Sequence, residues 1–272
     1  MKRTTLYLFI LTFCITWISC DNESRSNRNN IYARLNVQSY NVTTYDIDSN
    51  GVEENIGRIN KSVEFDNYGN ILKEFASDIG QTSTYEYNDT LLVRTTISSA
   101  TKGVLSVIQT SYFNNQKIDS LLNKDSKLYA KVISYRNSQG RDTLVTRFDQ
   151  NNQLEYKVTC LYDEIGLKDM TTRSNTDTVY KQRINDDKLL HIFESKNLEG
   201  KLIARETILH NKNGDEIDFL YESFILEDAP KITHRKTTYL DSGLTEEVVT
   251  LDAKGKPIRK EKYNYQMFDG EI

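Results

Sequence analysis

The chain has 272 residues, with 35 Lys and Arg against 39 Asp and Glu, and a formal net charge of -4. That balance leaves no cationic excess to release phosphate counterions, so nothing in the charge favours nucleic acid. Seventeen tyrosines against two prolines, with no helical heptads, favour strands joined by tight turns.

Lys2 and Arg3 precede an apolar run from Leu6 to Ile18, which ends in Ser19-Cys20 and gives way to Asp21-Asn22-Glu23-Ser24. A basic tip, a short apolar stretch and a small residue form an export signal. The run of about 13 residues is shorter than the ~20 needed to span a bilayer. Trp17-Ile18-Ser19-Cys20 resembles the bacterial lipoprotein box, although Trp17 stands where a leucine or similar aliphatic is usual. The resemblance implies removal of residues 1–19, acylation of Cys20 and attachment to a membrane through the N-terminal lipid. Several acyl chains at ~0.8 kcal/mol per buried CH₂ exceed the marginal hold of one chain. Residues 20–30 then form the acylated cysteine and a tether, because 21–30 contain no apolar side chain to bury. Loss of Lys2 and Arg3 with the signal takes the net charge from -4 to -6. Asp21 after Cys20 resembles an inner-membrane retention signal of enterobacteria. The address is therefore the cell envelope, with the outer membrane or cell surface and the inner membrane all open.

Cys14 leaves with the signal and Cys20 carries lipid, so Cys160 is alone and a disulfide framework is excluded. It falls in the alternation Leu154, Tyr156, Val158, Cys160, Tyr162, the apolar face of a strand, and reads as a buried, inert thiol.

From residue 31 to 272 one element recurs: an aromatic or aliphatic residue, an Asp/Asn-rich turn usually carrying Gly, and a return strand. Its clearest copies are Phe65-Asp66-Asn67-Tyr68-Gly69-Asn70-Ile71 and Tyr162-Asp163-Glu164-Ile165-Gly166-Leu167. Phe148-Asp149-Gln150-Asn151-Asn152 has Asn in place of Gly, and Asn211–Gly214, Asp241–Gly243 and Asp252–Gly255 follow. The Asp or Asn side chain bonds its own backbone two residues on, and Gly supplies a positive φ. The aromatic marks at 65, 87, 112 and 135 are separated by two strands and two turns, and those at 135, 148 and 162 by one of each. Rings at similar depth in successive hairpins are expected to form a cross-strand ladder. No helical crossover appears between strands, which excludes a parallel sheet. The expectation is an all-β fold: a long antiparallel meander of tandem hairpins, roughly 14 to 18 strands, coiled or curled into a barrel-like or solenoid-like form.

The two Asp-x-x-Gly copies resemble the YD repeat of Rhs-type bacterial surface and toxin-shell proteins, whose repeats build spiralling antiparallel sheet. In degenerate form the likeness runs from Tyr45 to Ile258. Tyr135 lacks the following Asp, Phe148 lacks the Gly, and the family's toxin C-terminus and long arrays are missing. The resemblance implies a short, degenerate hairpin-repeat lipoprotein of the Bacteroidota type.

Asp46-x-Asp48-x-Asn50-Gly51 resembles the first half of an EF-hand loop, and its alternate oxygens make Asp46, Asp48 and Asn50 candidate Ca²⁺ ligands. Gly57 falls where the bidentate Glu belongs, and an ordinary turn is the competing reading. His191, His210 and His234 each stand alone, without zinc-ligand spacing. No nucleophile elbow, phosphate loop or dinucleotide fingerprint is present, and no catalytic set is assigned. Glu64, Glu86, Glu155, Asp169, Glu194 and Glu206 lie in or beside strands, where solvated sheet faces compete with paired-acid chemistry. Tyr85, Tyr87, Tyr112, Tyr263 and Tyr265 are candidate binding aromatics for a glycan or an envelope protein. The function read from the sequence is a non-enzymatic envelope lipoprotein with a binding or structural role. Its rivals are a secreted hydrolase using two carboxylates in a groove, and a carrier of an apolar ligand in a curled sheet.

Overall fold

The computed structural model describes residues 31–54, 56–225 and 230–268; the signal, Cys20 and the tether lie outside the described residues. Those residues form one antiparallel sheet of 18 strands. The first nine are β1 (Val37–Asp46), β2 (Arg58–Phe65), β3 (Ile71–Ala76), β4 (Gln81–Asn88), β5 (Leu91–Ser99), β6 (Gly103–Phe113), β7 (Gln116–Asn123), β8 (Leu128–Arg136) and β9 (Asp142–Asp149). The rest are β10 (Leu154–Asp163), β11 (Gly166–Ser174), β12 (Thr178–Arg183), β13 (Leu190–Lys196), β14 (Leu202–His210), β15 (Glu216–Ser223), β16 (Lys231–Tyr239), β17 (Thr245–Leu251) and β18 (Pro257–Met267). Every strand pairs with its sequence neighbours, and β18 pairs back onto β1 over Val37↔Met267 to Asp46↔Arg259. The meander is therefore a closed barrel, the barrel-like outcome among those expected.

Nine hairpins share one turn. In each, the N–H of the first residue donates to the carbonyl four on, and the N–H three on donates back to the first carbonyl. This is a type I turn followed by a left-handed residue. The first residue is Asp or Asn in eight of them, and at Asp66 its Oδ1 accepts from the N–H groups of Tyr68 and Asn70 (2.9 and 2.8 Å). The left-handed position is Gly69 (φ 77°) and Gly214 (φ 86°), and Asn152 fills it at φ 61°. Gly166, in the tighter Asp163 hairpin, also has positive φ (134°).

Even-numbered strands all end at one rim, and Phe65, Tyr87, Tyr112, Tyr135 and Tyr162 close β2, β4, β6, β8 and β10 there. Phe148 closes β9 at the opposite rim. The long aromatic period is thus the hairpin and the short one the single strand. The expected ring ladder does not form from these marks, because even strands lie two strand spacings apart, roughly 10 Å. Tyrosines at this rim instead donate to the carbonyl that opens the preceding strand: Tyr87 to Ile71, Tyr162 to Asp142, Tyr239 to Glu216 and Tyr265 to Thr245, at 3.0, 2.9, 2.8 and 2.7 Å.

A single closed wall has no second layer outside it, so the face withdrawn from solvent is the inner one. One inner cluster spans β6 to β10: Ile108, Leu121, Ala130, Val132, Val145, Val158 and Cys160, with Met170 and Leu167 of β11 against it. Cys160 is in no disulfide among the described residues and is 1% exposed, buried as its alternation predicts. A second cluster joins Val37, Val63, Phe65 and Leu244. It is capped by the helical turn at residues 31–34, whose Tyr32 ring stacks on Phe65 at 4.5 Å. The outer face carries opposed ion pairs such as Glu64–Lys73 and Glu194–Arg205.

An alanine at Gly69 or Gly214 should cost about 1 kcal/mol or more, because L-residues resist this φ. Thermal melts of the two variants check it, and melts identical to the parent would remove the turn assignment.

Candidate functional site

The inner wall divides into two arcs of different character. From β5 to β11 it is largely apolar and closed off, with Val158 fully buried. From β12 through β18 and on to β4 it is aromatic and charged. Tyr40 opposes Tyr265 and Val63, which places its ring inward, 5.7 Å from both Tyr263 and Tyr265. Val63 opposes Glu74, so Glu74 also points inward. Its carboxylate accepts from Lys61 Nζ (2.6 Å) and from the Tyr85 hydroxyl (3.1 Å). Across the arc, Lys181 donates to Glu206 (2.6 Å) and lies 4.7 Å from the centroid of Phe193, while the Arg235 guanidinium covers Phe219 at 4.7 Å. Arg183, at the rim, is buried and donates to the carboxylate of Asp163 and to the carbonyls of Leu167 and Asn185.

Solvent reaches this arc. The Lys61 and Glu74 side chains keep 39% and 29% of their exposure, and Tyr85, Tyr87, Tyr221 and Tyr263 are half-buried. Burial raises the Tyr85 hydroxyl well above the usual phenol range, and the Glu74 charge adds to it. Burial likewise raises Tyr40, Tyr112 and Tyr221. These hydroxyls stay protonated, as donors, at neutral pH.

The five candidate aromatics, Tyr85, Tyr87, Tyr112, Tyr263 and Tyr265, share the inner face and do not form a stripe on the outside. Tyr263 and Tyr265 gather with Tyr40, Tyr85 joins Glu74, and Tyr87 and Tyr265 are also tied to backbone carbonyls. The register also unites two histidines that stand apart in sequence: His191 and His210, on β13 and β14, have ring centroids 4.7 Å apart. Among the described residues no group of three or more His, Cys, Asp or Glu side chains is placed to hold a metal.

The Asp46–Gly51 stretch is another copy of the shared turn. Asp48 Oδ1 accepts from the N–H groups of Asn50 and Val52 (2.8 and 2.9 Å), and the Val52 bond leads in holding its carboxyl below the usual range. Asn50 Nδ2 lies 3.4 Å from Asp48 Oδ2, and Asp46 is engaged by Arg58 (2.5 Å) and Arg259 (3.5 Å). Gly57 stands where an EF-hand needs Glu because a Cβ there would come within 2.4 Å of Thr43 and 2.6 Å of the Tyr45 ring. Glu53 turns to Lys260 (2.5 Å) and Lys262 (3.0 Å) on the outer wall. A Ca²⁺ ion would have to displace two guanidinium groups and the turn's own N–H bonds.

Of the candidate strand acids, Glu64, Glu86, Glu155, Glu194 and Glu206 are each ion-paired, to Lys73, Arg94, Arg147, Arg205 and Lys181. Asp169 opposes Leu161 and Gln182.

No family model and no curated protein matches this chain. Among solved structures, a porin-like protein from Bacteroides uniformis aligns over 86% of this chain and 97% of its own, at 8% identity and a TM-score of 0.46. The Tc holotoxin pore of Photorhabdus luminescens aligns over 74% of this chain and 14% of its own, at 13% identity and a TM-score of 0.28. A DUF1329 family protein from Desulfovibrio piger aligns over 91% and 94%, at 10% identity and a TM-score of 0.29. What defines the class here is the barrel itself: 18 strands, closed, with an aromatic and ionic inner arc.

If Asp48 only builds its turn, the melting temperature will be the same in millimolar Ca²⁺ and in chelator, and Asp48→Ala will lower it equally in both. A Ca²⁺-dependent rise lost in Asp48→Ala would restore the ion.

Proposed function

We propose that the protein is a non-enzymatic, lipid-anchored cell-envelope barrel that binds a glycan on the aromatic and ionic arc of its inner wall. The observation that carries this reading is the inward convergence of Tyr40, Tyr85, Tyr263 and the Lys61–Glu74 pair on a surface that solvent still reaches. Flat rings flanked by hydroxyls and carboxylates suit sugars, which offer apolar ring faces and dense hydroxyl groups. The apolar-carrier reading has less support, because the apolar arc is closed. The hydrolase reading also has less, since a general acid needs a raised carboxyl. Glu194 is instead held low by hydrogen bonds from Arg205 and Lys196.

The outer wall bears on how the protein meets a membrane. Lys73, Arg94, Arg205 and Lys236 all point outward with acidic partners. A lipid-facing Lys or Arg costs about 2–4 kcal/mol at mid-bilayer. The charged wall favours a barrel held beside the membrane by acylated Cys20 over one embedded in it. The outer membrane or cell surface is the proposed address.

A glycan array probed with the full chain tests the site. Binding should weaken about tenfold in Tyr85→Ala or Tyr263→Ala, the loss expected for one stacking contact of about 1.4 kcal/mol. Absence of glycan binding, or turnover abolished by Glu74→Gln, would overturn the proposal. Cys20→Ala should yield a chain without acyl mass that leaves the membrane fraction; unchanged mass and retention would remove the anchor.

A further inference from the structure

The outer wall obeys a rule with one exception. Wherever two Lys, Arg, Asp or Glu residues oppose each other directly in the described ladders, their signs are opposite. Glu64 faces Lys73, Glu86 faces Arg94, Glu194 faces Arg205 and Asp218 faces Lys236. On β10 and β11 alone, two cations are opposed: Lys157 faces Arg173. Like charges placed directly opposite destabilise a sheet. Among the described residues neither cation has an ion-pair partner, and the nearby Glu155 is held by Arg147 at 2.6 Å.

These two side chains do not merely share a flat surface. With Thr159 and Thr171, the next opposed pair on the same face, they line a concavity of about 200 Å³ on the outer wall. Thr146 opposes Lys157 on its other side and Thr178 opposes Arg173, so the immediate cross-strand neighbours are neutral and hydroxyl-bearing. A guanidinium fork, an ammonium and two hydroxyls thus surround one hollow. Charge-assisted hydrogen bonds to an oxyanion are about twice as strong as neutral ones, and an anion between the cations turns their repulsion into attraction.

We propose that Lys157, Arg173, Thr159 and Thr171 form a binding site for a tetrahedral oxyanion, phosphate or sulfate, on the outer wall and separate from the inner arc. The site is independent of the glycan reading, since none of its four residues faces inward.

The test uses the full chain with inorganic phosphate and inorganic sulfate, each against chloride at equal ionic strength. Calorimetry should show saturable binding of at least one oxyanion, and that ion should raise the melting temperature above the chloride control. Lys157→Gln and Arg173→Gln should each weaken binding about tenfold, the loss of one charge-assisted contact, whereas Lys73→Gln should leave it unchanged. Arg173→Glu should abolish binding and raise the melting temperature in chloride, because it creates the opposite-sign pair found elsewhere on the wall. Oxyanion effects equal to those of chloride, or binding that survives Lys157→Gln and Arg173→Gln together, would overturn the proposal.

Discussion

The antiparallel pairing of β1 with β18 is the contact on which the rest of the structure depends. It joins the first strand to the last across more than two hundred residues of chain, from Val37↔Met267 to Asp46↔Arg259. Without it the same hairpins would form an open sheet with two unpaired edges, a template for association with other chains. With it, every strand has two partners, and the alternation of side chains becomes a division between inside and outside. The helical turn at residues 31–34 reinforces the seam: Ile31, Tyr32 and Leu35 pack on Val37, Val63, Phe65 and Leu244, which come from β1, β2 and the turn before β17.

Closure gives the two faces different work. The outer face takes charges in opposite-sign pairs, exposed enough that each contributes little to stability on its own. Their regular arrangement is what makes the Lys157–Arg173 opposition stand out. The inner face takes the buried core valines such as Val63 and Val158, Cys160 and most of the strand tyrosines, while Tyr45, Tyr135 and Tyr180 lie on the outer face. Two carboxylates of the inner face are held within the wall: Asp119 accepts from Thr110 (2.7 Å) and Lys117 (2.9 Å), and Glu74 from Lys61 and Tyr85. Such satisfied networks hold donors and rings in fixed positions, a precondition for recognising a polar ligand.

Much of the fold is legible in the sequence because turns and alternation are local signals. The Asp66 and Asp163 turns, the positive-φ glycines and the burial of Cys160 all follow from residues within a few positions of each other. The Asn123–Lys127 turn escapes notice because Ser126, not Gly, adopts the left-handed conformation (φ 60°). Closure, by contrast, is a property of the ring as a whole, and period-two patterns are identical in an open sheet, a solenoid and a barrel. The same ignorance of register hides the meeting of His191 with His210 and the opposition of Lys157 to Arg173. It also leaves the five tyrosines without a direction, since alternation assigns a face but not which face is concave. The Asp46–Gly51 stretch shows the converse hazard: a turn rich in oxygen ligands resembles a cation loop until its carboxylates are seen bonded to Arg58, Arg259 and the turn's own N–H groups.

Amide hydrogen exchange across β1 and β18 tests closure most directly. In a closed barrel the β18 amides that bond to β1 share their protection with central strands such as β7 and β8, and exchange only on global unfolding. An open sheet would leave β1 or β18 with an unpaired row of N–H groups exchanging orders of magnitude faster than β7 and β8, and that result would contradict the barrel and the inner-wall site with it.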